Sequence, residues 1–344
     1  MIREGPLGMG RILVIGGTTF MGYQLVWRLL ARGHQVTVLN RGRTPDPFGN
    51  RVARIRVDRR TSDFAQVLAA QTFDATVDFA AFTAIDVAGA VDALADNTGH
   101  YVFISSGAAY LARQDAPVPV VRAFSEADYR GPTRPRPEHP EDVPSWRYAA
   151  DKRASEAVLE EAWAARRFPS TRLRLPNVNG ARDPERRVES YVWRILDGGP
   201  VLLPYGGDIR IRHVYAGEVV KAIDSLLGNP HTFGQAYNLS QDEEPTMMEF
   251  VGLVAEILGS PNRAVPISAD AMANAGLEVR YVSPFSGRWE SRIDPRLAKE
   301  DLGFHHQPLA QYLESIVSAV LDYPRPEPPP GYEKRNLEKS LAPS

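Results

Sequence analysis

The stretch Arg11-Ile-Leu-Val-Ile-Gly-Gly-Thr-Thr-Phe-Met-Gly22 constrains what this chain can fold into more than any other. Ile12 to Ile15 is a short apolar run that reads as a buried strand. It breaks into a glycine-rich turn, after which Leu25, Val26, Leu29 and Leu30 share one face of a helix. Strand, glycine turn and helix in that order form a phosphate cradle. The first N–H groups of a helix have no partner within it, and the helix dipole favours an anion there. Gly16 permits the tight turn, and Gly22 lets helix and strand lie close together. Thr19 stands where a middle glycine is usual, so the pattern is imperfect.

The rest of the chain extends the same theme. Gln35–Asn40, Val52–Val57, Ala75–Phe79, Tyr101–Ser105 and Thr171–Leu175 read as further strands. Between them, helices are expected around Phe64, Val67 and Leu68, over Ile85–Ala95 and over Tyr148–Arg167. Strands and helices alternating in units of this size predict an α/β fold with a doubly wound parallel sheet and right-handed crossovers. Leu111 to Ser145 is rich in Pro, Arg and Glu and has no clean period; a loop that long is functional or disordered. Beyond Ala181 the elements are shorter. They comprise a helix over Val188–Leu196, a strand over Pro200–Pro204, an alternating strand over Ile209–Val214, a helix over Ala216–Leu227 and a strand over Ala236–Leu239. A helix capped by Thr246 with Glu249 follows, and Leu309–Tyr323 forms the last helix.

With 344 residues the chain can bury a large core. The expected organisation is a disordered leader over 1–10 and a nucleotide-binding domain over 11–178, with the long insertion 111–145, completed by about 209–240. A smaller, discontinuous substrate-binding part covers 179–208 and 241–323, and 324–344 is a loose tail. A net charge of −2 without a basic block argues against a dedicated nucleic-acid binder. The absence of cysteine excludes disulfides, thiolate catalysis and cysteine-based metal sites, and no metal is expected. No apolar run approaches the ~18 residues of a membrane span, so a cytoplasmic location is the default.

Two further features carry chemistry. Tyr148 and Lys152 are four apart on an expected helix and share a face. A phenol, with a pKa of ~10, is a poor base at neutral pH until a nearby cation favours the phenolate. Ser105 and Ser106 end the fifth strand, at the sheet edge where parallel-sheet sites lie.

A glycine turn after the first strand, paired serines after the fifth and Tyr-x-x-x-Lys on the next helix together resemble the extended short-chain dehydrogenases/reductases of the NAD-dependent epimerase/dehydratase type. The resemblance runs from about Arg11 to about Leu321 and implies a Rossmann-type sheet with a smaller substrate part. The runs Gly16–Gly22, Asn40–Arg43 and Ser105–Leu111 resemble an atypical branch that also holds chloroplast stem-loop RNA-binding proteins. By resemblance Ser106 and Tyr148 are catalytic, and Lys152 lowers the tyrosine pKa and holds the cofactor ribose. The turn residues Gly16, Thr18, Thr19, Phe20, Met21 and Gly22 would hold a pyrophosphate. Asp58 would contact adenine with Arg59 beside it. Ala80, Ala81, Phe82 and Ser105 would line the groove, Pro176 would lie against the nicotinamide and Asn177 against substrate. The spacing of about forty residues between Ser106 and Tyr148 is longer than the family pattern.

An NAD-binding turn usually ends its second strand with an acidic residue. Here Asn40 stands there, followed by Arg41 and Arg43, which favours NADP(H) over NAD(H) because an arginine can pair with a 2′-phosphate. For the substrate, Ser106 and Asn177 are joined by Arg210 and Arg288 as candidate anion clamps, with Arg292 a further one. On an alternating strand Arg210 and Arg212 would share a face, leaving His213 structural. Arg182–Arg187 reads as a solvated lid. The expected activity is an NAD(P)-dependent oxidoreductase acting on a small-molecule carbonyl or alcohol. A nucleotide-sugar epimerase/dehydratase and a non-catalytic cofactor- or RNA-binding protein are the alternatives. Relatives of this type imply a homodimer through the helix bearing Tyr148, a point that the face of Ala154, Ala157 and Glu161 leaves open.

Overall fold

Seven strands, all parallel, form the central sheet in the order β10-β6-β5-β4-β1-β2-β3 of the computed structural model, which describes residues 8–287 and 289–342. The chain runs β1 (Arg11–Ile15), α1 (Phe20–Ala31), β2 (Gln35–Asn40), β3 (Val52–Arg56), α2 (Asp63–Ala69), β4 (Ala75–Asp78), α3 (Ala84–Leu94), β5 (Tyr101–Ser106), α4 (Ala108–Leu111), α5 (Val143–Arg166) and β6 (Ser170–Leu175). It continues β7 (Asn177–Asn179), α6 (Arg187–Leu196), β8 (Val201–Pro204), β9 (His213–Tyr215), α7 (Ala216–Leu226), β10 (Ala236–Asn238), α8 (Met247–Ile257) and β11 (Ala264–Ile267). The remaining helices are α9 (Ala269–Asn274), α10 (Val279–Val282), α11 (Arg296–Leu302), α12 (Leu309–Asp322) and α13 (Arg335–Leu341).

Alternation along the strands explains the layers. Ile12 and Val14 pack with Leu25, Val26 and Leu29 of α1 and with Val219 and Ile223 of α7. Leu13 and Ile15, pointing the other way, pack with Phe64 of α2, Val87 and Val91 of α3 and Leu159 of α5. A separate core joins α6, α8 and α12 through Tyr191, Val192, Phe250, Val254, Leu313 and Ile316. Two short parallel pairs, β7–β9 and β8–β11, belong to the chain beyond β6. No helix among the described residues is long and apolar enough to cross a membrane. The leader expected over residues 1–10 lies outside the described residues up to position 7.

Three expectations need correction, and the insertion, expected to be functional or disordered, comes first. The insertion 111–145 is ordered, because arginines donate to its carbonyls: Arg153 to Tyr129 at 2.7 Å and to Gly131, and Arg134 to Arg113 at 3.1 Å and to Ala116. Helix α5 starts at Val143, ahead of Tyr148, with a proline in its first turn, where a missing N–H costs nothing. The alternating strand Ile209–Val214 does not form. Only His213–Tyr215 pairs as a strand; the backbone of Ile209 and Ile211 bonds instead to Met247 and Pro245, each at 3.0 Å, in a single bridge between Arg210 and Thr246. The expected loose tail 324–344 is ordered over its described residues, 324–342: α13 buries Arg335 and Glu338, and Glu338 pairs with Arg194 at 2.6 Å with both side chains at 0% exposure.

Candidate active site

The glycine turn has the shape an anion cradle needs. Gly16 has φ +85°, and a Cβ on Gly22 would stand 2.4 Å from the Gly16 carbonyl oxygen. Thr19 is the N-cap of α1 but makes no side-chain cap bond, and no acidic side chain occupies the first turn, so that end of the helix is left for a ligand. Beside it opens a cleft of about 370 Å³ whose walls include Gly16, Thr18, Thr19, Asn40, Arg41, Arg43, Asp58, Arg59, Ala80 and Phe82. The residues expected at the adenosine and phosphate end of a dinucleotide thus come together, and the cradle fits the group.

Within this cleft the polar residues play different parts. The Asn40 side chain accepts the Gly42 N–H at 2.7 Å and shapes the turn that presents Arg41 and Arg43. Both arginines are exposed, and neither forms an ion pair among the described residues. Asp58 accepts the Arg60 N–H at 3.1 Å. Arg59 is engaged internally, pairing with Asp78 at 3.0 Å and donating to the Asp86 carbonyl at 2.7 Å. Phe20 and Met21 pack against the α1 side of the core, and Pro176 is buried between β6 and β7. Ser105 departs from expectation: its hydroxyl turns away from the groove and donates to buried Glu156.

Ser106 ends β5, where its hydroxyl accepts the Ala108 N–H at 3.1 Å. Lys152 is 3% exposed and spends two donors on backbone, the carbonyls of Ala81 and Ile104, each at 2.9 Å. Its ammonium also lies 5.0 Å from the Phe82 ring centre and 4.8 Å from that of Phe103. Burial pulls its pKa down to about 8. Tyr148 is 42% exposed. Its hydroxyl is turned inward: burial raises its pKa, while the neighbouring Ser106 hydroxyl and the Arg187 guanidinium lower it. Arg187, which the sequence reading does not include, is therefore a cation that favours the phenolate.

Arg187 corrects the reading of 182–187 as a solvated lid. It pairs with Asp183 at 2.9 Å, donates to the Val178 carbonyl at 3.1 Å and reaches the Asn177 side-chain oxygen at 3.4 Å. Asp183 and Arg186 are buried, the latter paired with Glu189. Asn177 in turn donates to Glu290, whose pKa is raised by burial against the opposing pull of Asn177 and Arg187. Neither Arg187 nor Glu290 is among the site residues expected from the sequence. Arg187 carries a weak signal there, ten residues past Asn177; Glu290 carries none.

Of the expected anion clamp, the described arginines are engaged by protein groups. Arg210 is exposed and donates to the Glu244 carbonyl at 2.9 Å. Arg212 pairs with the Glu244 carboxylate at 2.8 Å, and Arg292 pairs with the same carboxylate. Arg288 lies outside the described residues. His213 is buried against the Tyr312 hydroxyl, its pKa pulled down to about 3 by burial.

Comparison with known proteins adds a lineage to this geometry. The model of the NAD dependent epimerase/dehydratase family matches residues 12–240. The chain is 27% identical over 291 residues to a 2′-dehydrokanamycin reductase of Streptomyces kanamyceticus, covering 83% of this chain and 76% of that protein. It is 24% identical over 266 residues to the chloroplast stem-loop binding protein of 41 kDa b of Arabidopsis thaliana, covering 73% of this chain and 64% of that one. Among solved structures, the dTDP-glucose 4,6-dehydratase DesIV of Streptomyces venezuelae, with NAD and TYD bound, superposes with a TM-score of 0.69 at 21% identity over 91% of this chain and 97% of its own. The UDP-glucose 4-epimerase of Thermotoga maritima, with UDP-glucose, gives 0.69 at 20% identity over 91% and 99%. Likeness at those identities shows the shared fold.

Proposed function

Because the chain belongs to the NAD-dependent epimerase/dehydratase family, we propose that it is an oxidoreductase acting on a carbonyl or alcohol of a small molecule through Ser106, Tyr148 and Lys152, with NADP(H) as its favoured cofactor. The observation that carries this reading is the convergence of Ser106 and Tyr148, with Lys152 one turn on, beside the cleft that starts at the α1 cradle. When bound, the dinucleotide supplies or accepts the hydride. The residues of the chain do the rest. Tyr148 gives its hydroxyl proton to the carbonyl oxygen as negative charge develops there, and Ser106 donates a hydrogen bond to the same oxygen. Arg187 makes the phenolate left behind less costly. Lys152, fixed by two carbonyls, keeps one N–H for the cofactor ribose. Arg41 and Arg43, unengaged beside Asn40, would take the 2′-phosphate.

Two observations favour reduction of a substrate that carries no diphosphate. Arg212 and Arg292 are both held by the single carboxylate of Glu244, so neither guanidinium is free to turn toward a diphosphate as a nucleotide sugar requires. The curated relative from Streptomyces kanamyceticus bears the name of a reductase. The epimerase/dehydratase reading draws on Glu290, a carboxyl raised by burial that could serve as a second proton-transfer group.

The test is a fluorescence titration of the purified protein with NADPH and NADH, followed by a screen of carbonyl compounds, aminosugar ketones among them, for NADPH oxidation. NADPH is expected to bind more tightly, and the double variant Arg41→Ala/Arg43→Ala to erase the difference. Tyr148→Phe is expected to lower turnover by about 10²–10⁴-fold. Equal affinity for both dinucleotides would defeat the NADP assignment, and unchanged turnover in Tyr148→Phe would defeat the catalytic one.

A further inference from the structure

A second cavity, of about 530 Å³, lies apart from the cofactor cleft and shares no lining residue with it. It opens between α1, α12 and the Gly180–Arg186 loop. Its apolar wall is made by Val188, Ile316, Ala319 and Val320, and Tyr23 supplies an aromatic side. That volume lies within the range that holds a drug-sized molecule.

The walls are held in place before any ligand arrives. Asp183 is tied to Arg187, Arg186 to Glu189 at the cavity base, and Arg186 also donates to the Pro328 carbonyl at 2.8 Å. Tyr23 stacks on Phe48, with ring centres 5.7 Å apart, and meets Trp27 edge-on. A cavity whose buried charges are already paired loses little order on binding.

The charge is unbalanced in one direction. Arg182, Arg186 and Arg325 contribute cations, and Asp183 and Glu189 contribute anions. Asp183 is further neutralised from outside by Arg187. Arg182 is exposed at the mouth and forms no ion pair among the described residues; its guanidinium sits 4.2 Å from the Tyr23 ring centre. A cation held on an aromatic ring at the mouth is positioned to meet an anionic group while the aliphatic wall meets an apolar body.

We propose that this cavity is a second ligand site, taking a flat apolar molecule that carries one anionic group, with the anion at Arg182 and the apolar body against Ile316, Ala319 and Val320. Nothing in this assignment depends on the catalytic reading, since none of the proposed catalytic residues lines the cavity.

The full chain is titrated with anilinonaphthalene sulfonate, whose fluorescence rises on transfer to an apolar site, in the absence and presence of saturating NADPH. One molecule per chain is expected, with the same affinity under both conditions. Arg182→Gln, at an exposed position, weakens the sulfonate probe about tenfold by removing one charge-assisted contact. It leaves phenylnaphthylamine, the same body without the sulfonate, unchanged. Ala319→Trp fills the cavity and abolishes binding of both probes; if that variant does not fold, the contrast between the two probes in Arg182→Gln decides. Displacement of the sulfonate probe by NADPH, or unchanged sulfonate affinity in Arg182→Gln, overturns the proposal.

Discussion

Replacing Glu156 by glutamine tests whether charge holds the helix bearing Tyr148 and Lys152 onto the sheet. Glu156 lies one turn past Lys152 on α5 and is 0% exposed. Its carboxylate accepts from Arg174 Nη2 at 2.6 Å and from Nε at 3.0 and 3.1 Å, and also from the Ser105 hydroxyl. Arg174, on β6, donates besides to the Tyr110 hydroxyl at 2.8 Å and stands 3.9 Å from the Tyr129 ring centre. One ion pair thus joins α5, β5 and β6 directly beneath the site. Glutamine keeps the shape but leaves a buried guanidinium without a counter-charge. At an exposed position such a loss would cost about 0–1 kcal/mol. Here, with water excluded, removing one partner costs about 3–5 kcal/mol. Burial pushes the Glu156 carboxyl up, yet Arg174 outweighs it and holds the pKa below the ordinary carboxyl value of 4.5. A folded-state pKa below the unfolded one means that the pair stabilises fully above about pH 4.5 and loses its effect as pH falls through the folded value. Urea unfolding followed by tryptophan fluorescence measures this. Glu156→Gln is expected to lose about 3–5 kcal/mol at pH 7, with the gap to the native protein narrowing on acidification. The double variant Glu156→Met/Arg174→Met, which leaves no unpaired charge, is expected to lose less than Glu156→Gln. A single-variant loss under about 1 kcal/mol at pH 7, the level of an exposed pair, would refute the reasoning.

Arg187→Met removes a cation that lowers the Tyr148 pKa, so the rise of kcat/KM with pH for alcohol oxidation should move to higher pH; an unmoved profile would show that Arg187 only positions Asn177. Lys152 has its pKa pulled down to about 8, so its ammonium is present below that value. Cofactor affinity measured by fluorescence should therefore weaken as pH rises through about 8, and Lys152→Met should flatten that dependence. Removing residues 335–344 strips Arg194 of Glu338, its buried partner at 2.6 Å, and should cost about 3–5 kcal/mol in thermal or urea unfolding. A loss within about 1 kcal/mol would show α13 to be dispensable.

What is legible in the sequence is local. The strand-turn-helix at residues 11–31 stands out because apolar period, glycine spacing and helix start all lie within one short window. The alternation of Ile12 and Val14 against Leu13 and Ile15 does divide between two helical layers. Tyr148 and Lys152 can be paired because four residues make one helical turn. What stays hidden is the destination of charge. In a sequence a buried arginine looks like a solvated one, and its partner can be anywhere. Glu338 lies 144 residues from Arg194, and Glu290 lies 113 from Asn177. The charged run 182–187 accordingly reads as a solvated lid and the end of the chain as a loose tail, although 182–187 and α13 are each pinned by ion pairs in the interior. Arg210 and Arg212 mislead the opposite way: an alternating pattern suggests a strand, but the backbone around Arg210 meets only the turn ahead of α8, in a single bridge to Thr246.

The insertion 111–145 builds part of the site rather than covering it. Phe124 donates its N–H to the Arg292 carbonyl and accepts from Asp294, both at 2.8 Å, which lays it alongside Ile293. At the other end of the insertion Trp289 donates to Asp142 at 2.7 Å, and Arg134 lies 5.6 Å from the Trp289 ring centre. The segment 289–294 is therefore fastened to the insertion on both sides of Glu290. Asn238, at the end of β10, ties the same insertion to the sheet by donating to the Phe124 carbonyl at 3.0 Å and accepting from Tyr110 at 2.8 Å. Ser106, Tyr148 and Lys152 take their positions from β5 and α5, whereas Glu290 takes its position from the insertion. The long spacing between Ser106 and Tyr148 then has a physical reason: the extra chain leaves the sheet after β5, fixes the segment that carries Glu290 across from Asn177, and returns through Asp142 into the helix of Tyr148.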